Sequence, residues 1–189
     1  LRKTVETLTT KQYRALIDEI IPGALDPTQT YYTDWQNETF GIGKTQGMQL
    51  AFSGGTEKTR YMLSTNYLNT EGIVKPARFD RYSVRLNLDN QATSWLKIGT
   101  SINVLRSRTK DTPDNASSGR GGVIMSALNT PPFLRTYKND GSGQFDPNPF
   151  QPSWENPIAY MFGAEQEATD TRILGNFTAE ATVFKGFSL

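Results

Sequence analysis

The fold is decided by the stretch RYSVRLNLDNQATSWLKIGTSINV, residues 81–104. On each side of a polar turn at 90–94, apolar residues occupy every second position. Side chains of a β-strand point alternately to its two faces, so this period predicts two half-buried strands. The stretch therefore predicts an antiparallel hairpin with one apolar and one polar face.

The same period of two continues on both sides of this hairpin. It runs from residue 47 to 67 around a turn at 54–58, resumes from Ile173 to Ala181, and begins again at Phe187. Before residue 47 the period is helical instead, because Thr9 and Gln12 have the spacing of a capping box and apolar residues follow at helical spacing. The sequence thus predicts an all-β protein with one good helix near its start.

Four segments follow from these periods. Residues 1–46 are predicted to be a loop with a short helix, 47–106 two β-hairpins, 107–169 a long connection, and 170–189 further strands. A connection of that length usually carries function. The sequence ends three residues into a strand, so we expect the chain to be a piece of a larger protein.

Composition excludes several classes of function. Lys plus Arg is 20 and Asp plus Glu is 19, and a net charge of +1 gives no surplus for binding nucleic acid. The absence of His and Cys excludes the usual nucleophile triads and every His or thiolate metal site. The acidic cluster of Glu165, Glu167, Asp170 and Glu180 has nothing nearby that supplies an acid–base pair with a nucleophile or a metal. The sequence therefore predicts no enzyme activity, no catalytic residue, no metal and no cofactor.

Alternation alone fits two all-β architectures. In a transmembrane β-barrel the apolar face meets lipid and the polar face lines a wet lumen, whereas in a soluble carbohydrate-binding β-sandwich the apolar face packs on a second sheet. Strands of about ten residues, short turns alternating with long loops, and aromatic residues near strand ends favour the barrel. The barrel predicts as lumen-facing Arg81, Arg85, Asn87 and Lys97, and as lipid-facing Val84, Leu86, Leu88, Ile98, Ile102 and Val104.

The long connection also supplies candidate contact residues for a ligand or a partner. An aromatic ring stacks on a sugar ring without demanding a fixed hydrogen-bond pattern, although ordinary loop packing uses the same residues. The candidates are Tyr137, Phe145, Trp154 and Tyr160.

Short motifs occur along the chain in a recognisable order. They are TDWQ at 33–36, FSGGTEKTRY at 52–61, YLNTEGI at 67–73, RYSVRLNLD at 81–89, WLKIGT at 95–100, NPIAY at 156–160 and GNF at 175–177. Together and in this order they resemble the early barrel of the SusC/RagA type of TonB-dependent outer-membrane transporter, found in Bacteroidetes-type bacteria.

The resemblance implies an antiparallel transmembrane β-barrel of 22 strands with a plugged lumen, to which this chain would contribute early strands and long extracellular loops that carry short helices. It implies a nutrient importer for glycans or peptides in the outer membrane of a Gram-negative bacterium. The implied partners are a SusD-like surface lipoprotein, membrane lipid, the cargo, and a TonB complex that would contact a part of the protein N-terminal to this chain.

Overall fold

The computed structural model describes residues 5–112, 122–149, 156–163, 165–184 and 187–189. These residues form two compact units that are interleaved along the chain. The sheet unit consists of the described residues within 44–70, 78–109 and 167–189, and the connection unit of those within 1–43, 71–77 and 110–166.

The sheet unit is built from six strands that pair in chain order as one antiparallel sheet. Their bounds are β1 Lys44–Gly55, β2 Thr59–Glu71, β3 Arg78–Gln91, β4 Leu96–Asp111, β5 Gln166–Phe184 and β6 Phe187–Ser188. The antiparallel all-β fold predicted from the sequence is therefore confirmed. Among the described residues all six strands belong to this sheet, so the opposing sheet that a sandwich needs does not occur there.

The strands extend beyond the positions at which the apolar period fades. β4 continues to Asp111 and β5 begins at Gln166, so the connection between them spans 112–165 rather than the expected 107–169. Residues 106–110 alternate between charged and hydroxyl side chains and Asp111 follows them, so this segment gives no apolar signal. Strand pairing continues through them because the backbone hydrogen bonds that hold a sheet do not depend on apolar side chains.

The connection unit contains four helices among its described residues, where the sequence predicts one good helix. They are α1 Thr10–Ile20, α2 Trp35–Thr39, α3 Gly122–Asn129 and α4 Pro157–Phe162. The predicted helix is α1, and its capping box is formed as expected, with Thr9 as N-cap and Gln12 at the third helical position. None of the helices in the described residues is long and apolar enough to cross a membrane.

A small core holds the connection unit together. Trp35 lies in it and donates a hydrogen bond from Nε1 to the Pro131 carbonyl oxygen at 3.0 Å. Thr33 fixes the same segment, because its backbone N–H donates to the Pro132 carbonyl oxygen at 2.7 Å. The buried apolar residues are Trp35, Val123, Ala127, Phe133, Leu134, Ile158 and Met161. Helices α2, α3 and α4, distant in sequence, are thereby fixed around one core.

Candidate functional site

One face of the sheet is polar across β1 to β5. Two shallow depressions lie on it, with volumes of about 210 and 260 Å³. Arg81 and Arg85 line the first, and Asn87 lines the second. The Arg81 Nε–H is buried and has no hydrogen-bond partner among the described residues. Lys97 is exposed on β4, two residues before Gly99, which lines the second depression. The predicted lumen-facing residues thus lie on one polar face.

A cross-strand hydrogen bond shows how β3 and β4 share this face. The Ser101 hydroxyl donates to the Asn87 side-chain oxygen at 2.8 Å. Between β4 and β5, Thr178 lies very close to Gly99. A Cβ atom added to Gly99 would be 2.5 Å from the Thr178 hydroxyl oxygen. Odd-numbered residues of β3 and β4 therefore lie on the polar face, and even-numbered residues on the other.

The other face carries the predicted lipid-facing residues. Val84, Leu88, Ile102 and Val104 are exposed, with Val84 at 45% and Ile102 at 38%, while Leu86 and Ile98 are half-buried. Tyr67 and Tyr82 pack on each other on the same face, with ring centroids 4.9 Å apart. These apolar side chains have the environment of a surface rather than of a core. The assignment of this face to lipid and of the other to a lumen stays a prediction.

In the connection unit, two of the predicted contact residues come together on a short hairpin. Tyr137 and Phe145 form an isolated antiparallel bridge, and their rings stack with centroids 5.4 Å apart and planes 23° apart. Tyr137 is 49% exposed, whereas Phe145 is half-buried and packs against the core. The pair therefore presents one exposed ring supported by a second ring that is anchored.

The other two predicted contact residues differ from this pair. Tyr160 is half-buried on α4 and packs against the core, so ordinary packing accounts for its position. Trp154 lies outside the described residues.

Asn156 holds the hairpin in place, although it is not among the contact residues predicted from the sequence. Asn156 is 3% exposed and caps α4, accepting a hydrogen bond from the Ile158 backbone N–H at 3.0 Å. Its side-chain NH2 group donates to three carbonyl oxygens, those of Arg135 at 3.3 Å, Thr136 at 2.8 Å and Asp146 at 3.0 Å. An Asn followed by Pro is a helix-start signal that could have identified it.

Hydrogen bonding within the hairpin tip lowers the pKa of one carboxyl group, that of Asp140. Hydrogen bonds to the Asp140 carboxylate from the side chain of Ser142, and then from its backbone N–H at 2.9 Å, hold the pKa of Asp140 below its ordinary value. The ionised carboxylate therefore helps to hold the tip in its observed conformation.

A cleft of about 930 Å³ lies beside the core of the connection unit. Tyr13, Trp35 and Phe133 line it, and the rings of Tyr13 and Phe133 meet edge to face with centroids 5.7 Å apart. Burial raises the pKa of the Tyr13 hydroxyl, which keeps that group neutral. The cleft has the size and the largely apolar lining that are typical of ligand pockets.

Known proteins are similar in sequence to this chain along most of its length. It is 33% identical over 152 residues to TonB-dependent receptor P3 of Formosa agariphila, with 78% of this chain and 15% of that protein covered. It is 24% identical over 198 residues to TonB-dependent receptor SusC of Bacteroides thetaiotaomicron, with 93% of this chain and 19% of that protein covered. The SusC/RagA resemblance is confirmed.

Solved structures agree with this result. A structure of the RagAB peptide transporter matches the chain with a TM-score of 0.59 and 27% identity, covering 95% of this chain and 20% of that one. The RagAB peptide importer in its open-open state matches all of the chain with a TM-score of 0.58 at 23% identity, which supports the fold. No protein-family model matches the chain. The chain spans about a fifth or less of the length of these SusC/RagA-type relatives.

Proposed function

We propose that this chain supplies early barrel strands and outer connections to a TonB-dependent nutrient importer in the outer membrane of a Gram-negative bacterium. The observation that carries the proposal is the two-faced sheet, whose apolar side chains are exposed along one face while polar and charged side chains line the other. A contiguous exposed apolar surface marks contact with a membrane or with another protein.

Strand length supports the membrane as that contact. β3 has 14 residues and β4 has 16. At about 3.3 Å per residue, strands of this length cross a hydrocarbon core of about 30 Å even when they are tilted by about 45°. The short turn between β3 and β4 and the long connection after β4 have the asymmetry that is typical of outer-membrane barrels, and this supports long connections on the outside of the cell.

The connection unit would then carry the contacts with cargo and partner. We propose that the exposed Tyr137 ring, supported by Phe145, contacts a glycan or peptide cargo or a SusD-like surface lipoprotein. Trp154 and Tyr160 belong to the same predicted contact set. The importer works by binding and conformational change, without covalent chemistry, and takes its energy from a TonB complex.

Lipid contact can be tested with single-cysteine variants, since this chain contains no cysteine. In the full-length protein folded into vesicles, a fluorophore on Ile102→Cys should be quenched strongly by brominated lipid. The matched control is Asn103→Cys, whose side chain lies on the polar face of the same strand and should be quenched little. Equal quenching at both positions would contradict the barrel assignment.

Cargo contact can be tested by comparing Tyr137→Ala with Tyr137→Phe in the same full-length protein. We expect the alanine variant to lower uptake of the cargo, and the phenylalanine variant to keep most of it because the ring is retained. Uptake that is unchanged by Tyr137→Ala would contradict the proposed contact.

A further inference from the structure

The apolar face of the sheet ends in a row of cations at the end that carries the long connections. On β4 the exposed residues from 102 to 108 are Ile102, Val104, Arg106 and Arg108, and the residues between them are less exposed. This alternation places the two arginines on the same face as the apolar residues and directly beyond them.

Neighbouring strands show the same change from apolar to charged. On β3, Asp80 and Arg78 lie on the same face as Tyr82 and nearer to the long connections. On β1, Lys44 lies on that face too, nearer to the same end than Met48. Counting along the antiparallel strands from the Ser101–Asn87 hydrogen bond places Arg106 at the level of Tyr82. We call this set, Lys44, Arg78, Arg106 and Arg108, the cationic rim.

Two carboxylates of this face, those of Asp80 and Glu167, are paired with rim cations. Asp80 accepts hydrogen bonds from Arg78 Nε at 2.8 Å and from the Asn69 side chain at 2.8 Å. Glu167 forms a two-point ion pair with Arg108. Arg106 is exposed and has no ion pair among the described residues. The four rim cations outnumber the three strand carboxylates at this end of the face, Glu71, Asp80 and Glu167, so the rim keeps a net positive charge, and the Arg106 side chain is exposed.

The opposite end of the same face differs in charge. Its described residues there include Gly54, Thr59, Asn90 and Leu96, and none of these is charged. The cations that the described strands carry on this face are thus confined to one edge, where aromatic Tyr67 and Tyr82 also lie, whereas Lys58 at the opposite end belongs to the turn before β2. Aromatic rings of this kind mark the interface between hydrocarbon and headgroups in membrane barrels.

We propose that the cationic rim binds the phosphate of an anionic lipid headgroup in the leaflet that the long connections face. This inference rests on the proposed function, because it requires the apolar face to contact lipid. The planar guanidinium of Arg106 donates two parallel hydrogen bonds to phosphate oxygens, a geometry that the arginine fork matches well. Each cation near an anionic lipid surface strengthens binding about fivefold.

The test uses the full-length protein in neutral detergent, titrated with short-chain phosphatidylglycerol, short-chain phosphatidylcholine and inorganic phosphate. We expect phosphatidylglycerol to bind at least about fivefold more tightly than phosphatidylcholine, and inorganic phosphate to compete weakly. Arg106→Gln should remove about fivefold of the affinity for phosphatidylglycerol, and Arg106→Lys should keep most of it. Arg85→Gln removes an equal charge from the polar face of the neighbouring strand and should change nothing.

Equal binding of the two lipids, or an equal loss in Arg85→Gln and Arg106→Gln, would overturn the proposal. If inorganic phosphate binds the rim as tightly as phosphatidylglycerol does, the bound phosphate group need not belong to a lipid, and the proposal of a lipid headgroup is overturned. The proposed function fails separately, if the full-length protein does not fold into vesicles of phosphatidylcholine alone. A protein that folds there but shows no preference for the anionic lipid contradicts only the inference about the rim.

Discussion

The side-chain amide of Asn156 donates a hydrogen bond to the Thr136 carbonyl oxygen at 2.8 Å. The same side chain caps α4, so one buried group joins the start of that helix to both strands of the hairpin that presents Tyr137. Buried amides whose hydrogen bonds are satisfied specify one arrangement, because every alternative leaves polar groups unpaired. The position of the exposed ring therefore depends on a residue outside the hairpin.

Replacing Asn156 with alanine should loosen this arrangement. The variant loses a helix cap, which costs about 1 kcal/mol, and removes the Asn156 hydrogen bonds to the half-buried Arg135 and Asp146 carbonyl groups, which costs about 1–3 kcal/mol more. We expect faster hydrogen exchange at the Lys138 and Asp146 amides, which close the hairpin, in the full-length protein. The control is Asn139→Ala at an exposed position of the hairpin, which should leave those amides protected. Equal exchange in both variants would contradict the role given to Asn156.

A glycine at the first turn should be intolerant of a side chain. A Cβ at Gly55 would lie 2.3 Å from the Thr59 carbonyl oxygen, which is backbone and is held by the Thr56 N–H at 2.7 Å. Gly55→Ala should therefore lower the free energy of unfolding by about 1–3 kcal/mol, measured by urea titration of the full-length protein in vesicles.

The matched control for that variant is Gly175→Ala on β5, where nothing lies within 4 Å of an added Cβ. Alanine restricts the unfolded chain more than glycine does, so this change should be neutral or slightly stabilising. Similar destabilisation by both variants would show that steric contact at the turn is not the cause.

An arginine should lower barrel stability at one of two adjacent residues of β3 and have little effect at the other. If Leu86 lies near the middle of the bilayer, Leu86→Arg should cost about 2–4 kcal/mol of barrel stability. Asn87→Arg should cost little, because Asn87 lies on the polar face beside Ser101. Urea unfolding in vesicles measures both. Equal costs would reverse the assignment of the two faces.

The hairpin tip should lose protection in acid. The pKa of Asp140 is lowered in the folded protein, so its contribution to stability is fully present above the ordinary aspartate pKa and is lost as the pH falls through the lowered value. We expect hydrogen exchange at the Ser142 amide, corrected for intrinsic rates, to accelerate across that range. Ser142→Ala removes the largest cause of the shift and should move the pKa back towards its ordinary value, as carbon-13 NMR of the carboxyl group would show.

The sequence predicts the sheet well where apolar alternation is strong. β3 and β4 follow the alternation of Val84 and Ile102 with polar neighbours, and α1 follows its capping box. α3 gives little helical signal, because Val123, Ile124 and Met125 are apolar in succession, and α4 is too short for a period to register.

The candidate site is harder to predict for a related reason. Tyr137 and Phe145 are eight residues apart, and only the turn between them brings their rings together. The sequence also selects Tyr160 on its type alone, and the structure packs that residue against the core. Which aromatic residues face outward is decided by tertiary contacts such as those of Asn156, and these contacts have no local signature beyond a helix cap.

All three carbonyl groups that accept hydrogen bonds from the Asn156 side-chain amide belong to the main chain. Any amino acid supplies such a group, so the anchor makes no demand on the side chains between residues 138 and 144. Gly141 and Gly143 have positive φ angles and turn the chain there without touching the rest of the fold. Apart from these two glycines, the segment can thus change in sequence without loosening the Asn156 anchor.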